Sequence, residues 1–449
     1  MGRRWPGNVS ISFFHRRRFF FSSARLALAD PTLAQDIHDP YGALRQRDYR
    51  RLLIGSVLFT LGTEMQAAAV SWELYDRTQS KMALAYSGLA QVLPVLLLAL
   101  PAGQAADRYS RQKLLMAAQA LAVATSFGLA ALSFWQGPIA LVYVCLVMIG
   151  VVRAFSVPAR WGLLPQIVSM ELLPNAVTWN SSGFQIALAA GPPIGGLLLA
   201  YCVPAVVYLT TAVCALACVT LIGTLRPRPS QLLEEKRSLK TLLAGIRFVW
   251  ESKPILTTIS LDMFAVLLGG VTALLPIFAK DILQVGEWGY GWLRAAPPLG
   301  ALAPAFIMAH HPPLHHAGKV LLLAVTGFGV ATIFFGLSDS FWLSFVLLLA
   351  AGALDNISVV VRGTLVQVLT PDSMRGRVGA VNFMFVSSSN QLGEFESGLT
   401  AHLFGPIASV ILGGFGTLVV VGAIIALWPP IMRLSLTPPL LPVEQDLSP

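Results

Sequence analysis

The sequence predicts an all-α polytopic membrane protein, with twelve transmembrane helices in two pseudo-symmetric six-helix halves. Three observations carry this. Only 12% of the 449 residues are charged and 55% are hydrophobic, where a water-soluble domain has about 25% charged residues. The mean hydropathy is +0.69. Twelve apolar stretches follow one another, each near the roughly 20 residues that cross a bilayer as helix. The same figures exclude a soluble enzyme, and a disordered chain, which would be hydrophilic. Nucleic acid is excluded as a partner too. The net charge of +9 would need a water-facing basic patch, and too little of this chain can face water.

The expected spans are 52–75, 82–103, 113–135, 138–156, 179–199 and 202–225, then 255–278, 290–309, 320–337, 341–361, 378–402 and 406–428. Several contain Gly or Pro, which membrane helices tolerate when neighbours satisfy the freed backbone groups. The chain thus divides into a basic extension (1–48), a first half (49–225), a cytoplasmic linker (226–254), a second half (255–430) and a tail (431–449). The extension contains "FHRRRFFFSSAR", which lacks the apolar core of a signal peptide. It either touches the inner leaflet or precedes the true start. The Pro-rich tail is expected to be disordered. Within the linker, 239–250 reads as an amphipathic helix lying on the inner membrane surface.

Lys and Arg orient the chain. Of 31, 27 fall in the termini and in the loops after even-numbered spans. Arg77, Lys81 and Lys280 fall on the opposite side, and Arg294 lies inside a span. By the positive-inside rule both termini are cytoplasmic. The basic charge is then mainly an orientation signal, with membrane lipid as a secondary partner.

The four cysteines, Cys145, Cys202, Cys214 and Cys218, all fall in expected spans and form no CxxC pair. They read as small packing residues. His310, His311, His315 and His316 share a loop with Pro312 and Pro313 but with no carboxylate or cysteine. A solvated loop is the reading preferred over metal binding or pH sensing. No metal and no cofactor are expected.

The halves share weak similarity. "ARWGLLPQIVSMELLPNAVTWNSS" aligns with "VRGTLVQVLTPDSMRGRVGAVNFM" at an offset of 202 residues, placing Arg160 on Arg362 and Arg153 on Asp355. Such paired halves suit a transporter that rocks about a midplane site. The strongest local motif, "GQAADRYSRQK" at 103–113, fits G-x-x-x-D-R-x-x-R. Gly103 permits close helix approach, and Asp107 sits at a helix end. Arg108 and Arg111 reach inner-leaflet phosphates or acidic partners. Together they can form a cytoplasmic latch that breaks when the protein opens inward.

With these residues in register, the chain resembles the major facilitator superfamily. Gly103, Asp107, Arg108 and Arg111 match its loop motif. "GPPIGG" at 191–196, with Gly191, Pro192, Gly195 and Gly196, resembles the core of the antiporter motif, although the family's preceding glycine is Ala187. "FTLGTEMQAAAVSWELYDRT" and "NQLGEFESG" look like the branch of enterobactin exporters and macrolide efflux proteins. Over about residues 41–430, the resemblance implies secondary active export of a small amphiphile by a monomer in a bacterial inner membrane, driven by an ion gradient, most simply protons. The second-half loop "GALAPAFIMAHHPPLHHAGK" lacks the Asp-Arg pair, which implies an asymmetric latch.

No G-x-x-x-x-G-K-[ST] phosphate cradle is present, which argues against ATP as the energy source. Intramembrane ionisable residues are then the ones to inspect, because a charge in a bilayer is costly. Glu64 sits mid-span, as substrate contact, proton carrier or structural ion pair. Arg153, with Glu64 or Asp107 as its carboxylate partner, is a structural pair or a proton relay. Ser387, Asn390, Gln391, Glu394 and Gly398 fall on one helical stripe expected to face a cavity, with Glu394 its only ionisable member. Asp262 belongs to an inner gate or to the site. Asp355 pairs with Arg362 or with Arg294. Trp72, Phe184, Gln185 and Asn390 are candidate cavity walls. The competing class is a non-transporting scaffold or sensor on a transporter fold. A membrane enzyme is disfavoured, because no nucleophile–His–acid grouping is seen.

Overall fold

A computed structural model describes residues 39, 41–228, 239–310, 316–371 and 374–435. Twelve long helices run through them: α1 Arg47–Thr78, α2 Lys81–Arg108, α3 Arg111–Phe134, α4 Ile139–Ile167, α5 Leu173–Tyr201, α6 Pro204–Gly223, α7 Lys253–Gly269, α8 Gly286–His310, α9 Ala317–Gly336, α10 Phe341–Leu369, α11 Arg375–Phe404 and α12 Pro406–Leu427. Ten stretches are long and apolar enough to cross a membrane by length and composition, one of them running from α7 through Ile282. α8 and α11 complete the set. α11 is the less apolar of the two, because "SSSNQLGEFE" interrupts it. With an even number of helices the chain ends meet on one face, called here the terminal side; the other is the far side.

α4 and α10 run past the C-terminal ends of their expected spans. α4 continues past Ser156 to Ile167, and α10 past Val361 to Leu369. Hydropathy detects only the hydrocarbon-embedded turns. The helix persists while its side chains still find a packing surface, and Leu163, Leu164 and Ile167 pack with Tyr49, Leu52 and Leu115. Arg160 and Arg362 are therefore helical rather than loop residues.

α7 departs from a plain span. After Gly269 and Gly270 it resumes as a 3₁₀ turn (Thr272–Leu274), a short α turn (Leu275–Ile277) and a π turn (Phe278–Ile282). Two glycines and Pro276, which has no N–H to donate, explain the interruption. The linker helix forms over Leu239–Glu251. Cys202, expected inside the sixth span, instead follows α5 as its C-cap and is exposed. α6 starts after it because Pro204 suits a first helical turn. Cys214 and Cys218 do pack: a Cβ at Gly62 would lie 3.1 Å from Cys214 Cβ, and one at Gly55 3.4 Å from Cys218 Sγ. They are the small side chains that bring α1 against α6.

The cores show where the bundles join. One buried cluster unites Met65, Trp72, Tyr208 and Leu146 of α1–α6 with Phe278, Tyr290, Phe335 and Leu348 of the following helices. The other three each stay within α1–α6 or within the linker helix and α7–α12. The shared core lies toward the far side. On the terminal side each bundle packs on itself.

Candidate functional site: a charged space beneath a far-side seal

α1 builds the site through its periodicity. Going from Glu64 toward the far side, Ala68, Trp72, Tyr75 and Asp76 follow at intervals of about one turn. Each of these four meets the second bundle. The Tyr290 hydroxyl donates to the Ala68 carbonyl at 3.2 Å, and its ring lies 5.4 Å from that of Trp72. The Tyr75 hydroxyl donates to Asp281, and Lys280 pairs with Asp76. Behind this row Tyr208 donates to Glu73 at 2.8 Å, and Arg77 pairs with Glu73 at 3.3 Å. These groups close the far side.

Small residues let the helices come close enough. A Cβ at Gly196 of α5 would lie 2.6 Å from the Glu287 carbonyl oxygen and 2.7 Å from Gly291 Cα of α8. One at Gly88 of α2 would lie 2.8 Å from the Gln391 carbonyl oxygen of α11, and one at Gly398 of α11 2.7 Å from Ala85 Cβ of α2. Within the first bundle, Gly191 abuts Glu64 and Gly195 abuts Met65. The "GPPIGG" stretch is thus a double interface: Gly191 and Gly195 receive α1, and Gly196 receives α8.

Below the seal the space opens. Arg153 is midway along α4 and yet exposed, as are Asn390 of α11 and Phe184 of α5. Gln185 is eleven residues from Gly196, three turns along the same helical face, and stays half-buried below that contact. Four charges meet here. Arg294 of α8 lies within electrostatic reach of Glu64 and Glu394. Glu394 in turn feels Arg294, Arg153 and Glu64. Among the described residues none of the four closes into a contact ion pair. Instead Arg294 donates through Nη1 to the Tyr290 hydroxyl at 3.3 Å. One guanidinium therefore touches both the site and the seal.

A second charge cluster lies within the C-terminal bundle. Arg362 Nη2 lies 3.1 Å from Asp262 Oδ2, with both side chains almost fully buried. Ser358 donates to Asp262 at 3.4 Å, and Arg362 Nη1 donates to Asn382 at 2.7 Å. Asp355 shares the electrostatic environment of both.

Several placements differ from the sequence expectation. Arg362 takes Asp262 as its contact partner rather than Asp355, because α7 crosses α10 at that level. Arg153 comes within electrostatic reach of Glu394 across the bundles and makes no contact ion pair with Glu64. Trp72 is buried in the seal and does not line the open space in this conformation. The α11 stripe divides: Asn390 is exposed, whereas Gln391 and Gly398 are buried against α2. Gln66, two residues from Glu64, is buried and accepts from Ser126 at 2.7 Å inside the first bundle. Of the loop motif, Arg111 donates to the carbonyl oxygens of Ala106 (3.3 Å) and Gly162 (2.6 Å). Arg108 stacks over Tyr109, and Gly103 is half-buried. The side chains of Asp107, Ser387 and His310, residues 311–315, the extension through residue 38 and the tail from 436 lie outside the described residues; His316 is exposed. Sequence reasoning passed over Tyr290, Glu73 and the Asp76–Lys280 pair. Their signal is acids beside bases at the expected span ends, "YDR" and "AKD", which read as loop charges when each end is taken alone.

The comparisons fit this architecture. The model of the transmembrane secretion effector family, a major facilitator branch, matches residues 38–436. The enterobactin exporter EntS of Escherichia coli O1:K1 is 28% identical over 342 residues, covering 75% of this chain and 81% of the relative. A bacterial homolog of the human lysosomal transporter Spinster, solved inward-facing and unoccupied, superposes with a TM-score of 0.68 at 15% identity, covering 87% of this chain and 99% of that one. The nucleoside transporter NupG superposes with a TM-score of 0.64 at 14% identity, covering 84% and 98%. At these identities the structures speak for the fold alone. The family model covers nearly the whole described chain, and twelve helices stand around a charged central space; the chain belongs to the transmembrane secretion effector family of the major facilitator superfamily, as a multi-pass membrane transporter of small molecules and not an enzyme.

Proposed function

We propose that the protein exports a small amphiphilic molecule across a bacterial inner membrane, by alternating access and in exchange for protons. The observation that carries this is the charged space of Glu64, Arg153, Arg294 and Glu394, open on the terminal side and sealed on the far side. The Lys and Arg distribution supports a cytoplasmic terminal side. The open space then faces the cytoplasm, ready to load. Likeness to an enterobactin exporter supports the outward direction.

In this reading Glu64 and Glu394 accept hydrogen bonds from the cargo, and Arg153 and Arg294 offer donors. Phe184, Gln185 and Asn390 form part of the wall. Loading shifts Arg294, and through Tyr290 loosens the seal at Ala68. The Gly103, Asp107, Arg108 and Arg111 loop then latches the cytoplasmic side while the far side opens. The protein works as a monomer, with the linker helix on the lipid surface.

The test compares small molecules released by matched cells carrying wild type or Glu64→Gln at equal membrane abundance. A compound enriched outside only with wild type, and lost when the pH gradient is collapsed, is the expected result. Identical profiles across a broad compound set would overturn the reading.

A further inference from the structure

The two charge clusters differ in their balance. In the open space, two carboxylates (Glu64, Glu394) face two guanidinium groups (Arg153, Arg294). That set is neutral with every group ionised. In the C-terminal bundle, two carboxylates share one guanidinium: Asp262 touches Arg362, and Asp355 lies in the field of both. With every group ionised, this set carries one uncompensated negative charge in a membrane interior, where that is costly. A single proton neutralises it.

Geometry says which carboxylate takes the proton. Asp355, Ser358 and Arg362 are spaced i, i+3 and i+7 on α10, so all three face α7 on one stripe. Asp262 already holds the contact ion pair and a Ser358 hydroxyl. Asp355 sits two turns away along α10 without such a contact. Arg362 Nε and Asn356 Oδ1 are both buried without a hydrogen-bond partner, leaving a donor and an acceptor beside the cluster.

Among the described residues, no other cation on the packed elements balances the set. Arg294 of α8 is engaged by Tyr290, Glu64 and Glu394, and Glu287 lies at the far end of that helix, against Gly196. α9 carries Lys319, exposed at its terminal-side end. On α7, Lys253 is exposed at the terminal-side start. On α11, Arg377 reaches Met374 near the terminal side, Glu394 faces Arg294 and Arg153, and Glu396 and His402 lie toward the far end. Arg160, the counterpart of Arg362, has Cys218 of its own bundle as its charge neighbour.

The geometry points to Asp355 as the proton-binding site of this transporter, with the Asp262–Arg362 ion pair held fixed beside it. This rests on the antiport reading above and assigns the proton to the second cluster rather than to Glu64. Protonation turns the Asp355 carboxylate into a neutral acid with no other bond made or broken. The cluster then carries no net charge as the bundles rock, and proton release restores the negative charge.

Infrared difference spectra of the full chain in lipid, recorded as pH is lowered, test this directly. Through the neutral range, the wild-type spectrum minus that of Asp355→Asn leaves the carbonyl band of one protonated carboxylic acid. Asp355→Glu keeps that band at a shifted frequency, and Glu64→Gln, Glu394→Gln and Glu396→Gln leave it in place. Absence of the band from the wild-type-minus-Asp355→Asn difference overturns the assignment. The spectra do not depend on cargo. A band that follows Asp355 together with export indifferent to the pH gradient would sink antiport while leaving the proton site standing.

Discussion

The guanidinium of Arg362 and the carboxylate of Asp262 lie 3.1 Å apart, with side-chain exposures of 3% and 4%. They tie α10 to α7 inside one bundle. A buried pair of this kind adds little beyond a hydrophobic replacement, but losing one partner strands the other charge, at about 3–5 kcal/mol. Asp262→Ala and Arg362→Ala should therefore each lower thermal stability in detergent markedly, and the double variant Asp262→Ala/Arg362→Leu should recover part of it. Single variants melting like wild type would mean the pair is not buried as described.

Gly196 meets backbone rather than flexible side chain on α8. A methyl group there cannot be absorbed while the far side stays closed. Gly196→Ala should shift the population toward the far-side-open state. Ser71 is half-buried in this seal, one turn from Tyr75 on α1, and donates to the Ala67 carbonyl at 3.0 Å; Ser71→Cys, in a background without the four native cysteines, reports this through a membrane-impermeant maleimide. Labelling from the far side should rise several-fold with Gly196→Ala. An unchanged rate would show that α5 and α8 part without strain.

The Asp76–Lys280 pair crosses the same seal but is partly solvated, with side-chain exposures of 55% and 30%. Exposed pairs contribute roughly 0.2–1 kcal/mol, which is at most about a fivefold change in an opening equilibrium. Lys280→Ala should raise far-side labelling of Ser71→Cys less than Gly196→Ala does. The reverse order would make this pair, rather than close helix contact, the main lock.

Arg111 crosses the face of Gly162: a Cβ there would fall 2.6 Å from its Nε, and Nη1 bonds the Gly162 carbonyl. Gly162→Val should displace the guanidinium and reproduce the defect of Arg111→Ala: lower transport at near-normal membrane abundance. Arg111→Lys should restore little, since one ammonium cannot hold two carbonyls in the same geometry. Undiminished transport in Gly162→Val would separate Arg111 from the transport cycle. Asp107→Asn tests the same loop; full activity there would remove the latch.

Much of this was legible in the sequence. Length, charge scarcity and apolar runs specify twelve helices, because a bilayer requires every backbone polar group to be satisfied within its own helix. Periodicity placed Glu64 and Gln66 on different faces of α1, and Asn390, Gln391 and Glu394 on one stripe of α11. Local motifs picked out Gly191 and Gly196 before their neighbours were known.

Only the tertiary structure decided which faces meet. Arg362 takes Asp262 over Asp355, Arg153 comes within electrostatic reach of Glu394 across the bundles, and Trp72 stacks on Tyr290 in the seal. Each outcome depends on where one helix crosses another. Crossing points are set by small residues and side-chain interdigitation along whole helices, and residues 100 or more positions apart carry no local signal of their contact. The chain's chemistry is thus written helix by helix, and its pairing is written by the packing of bundle against bundle.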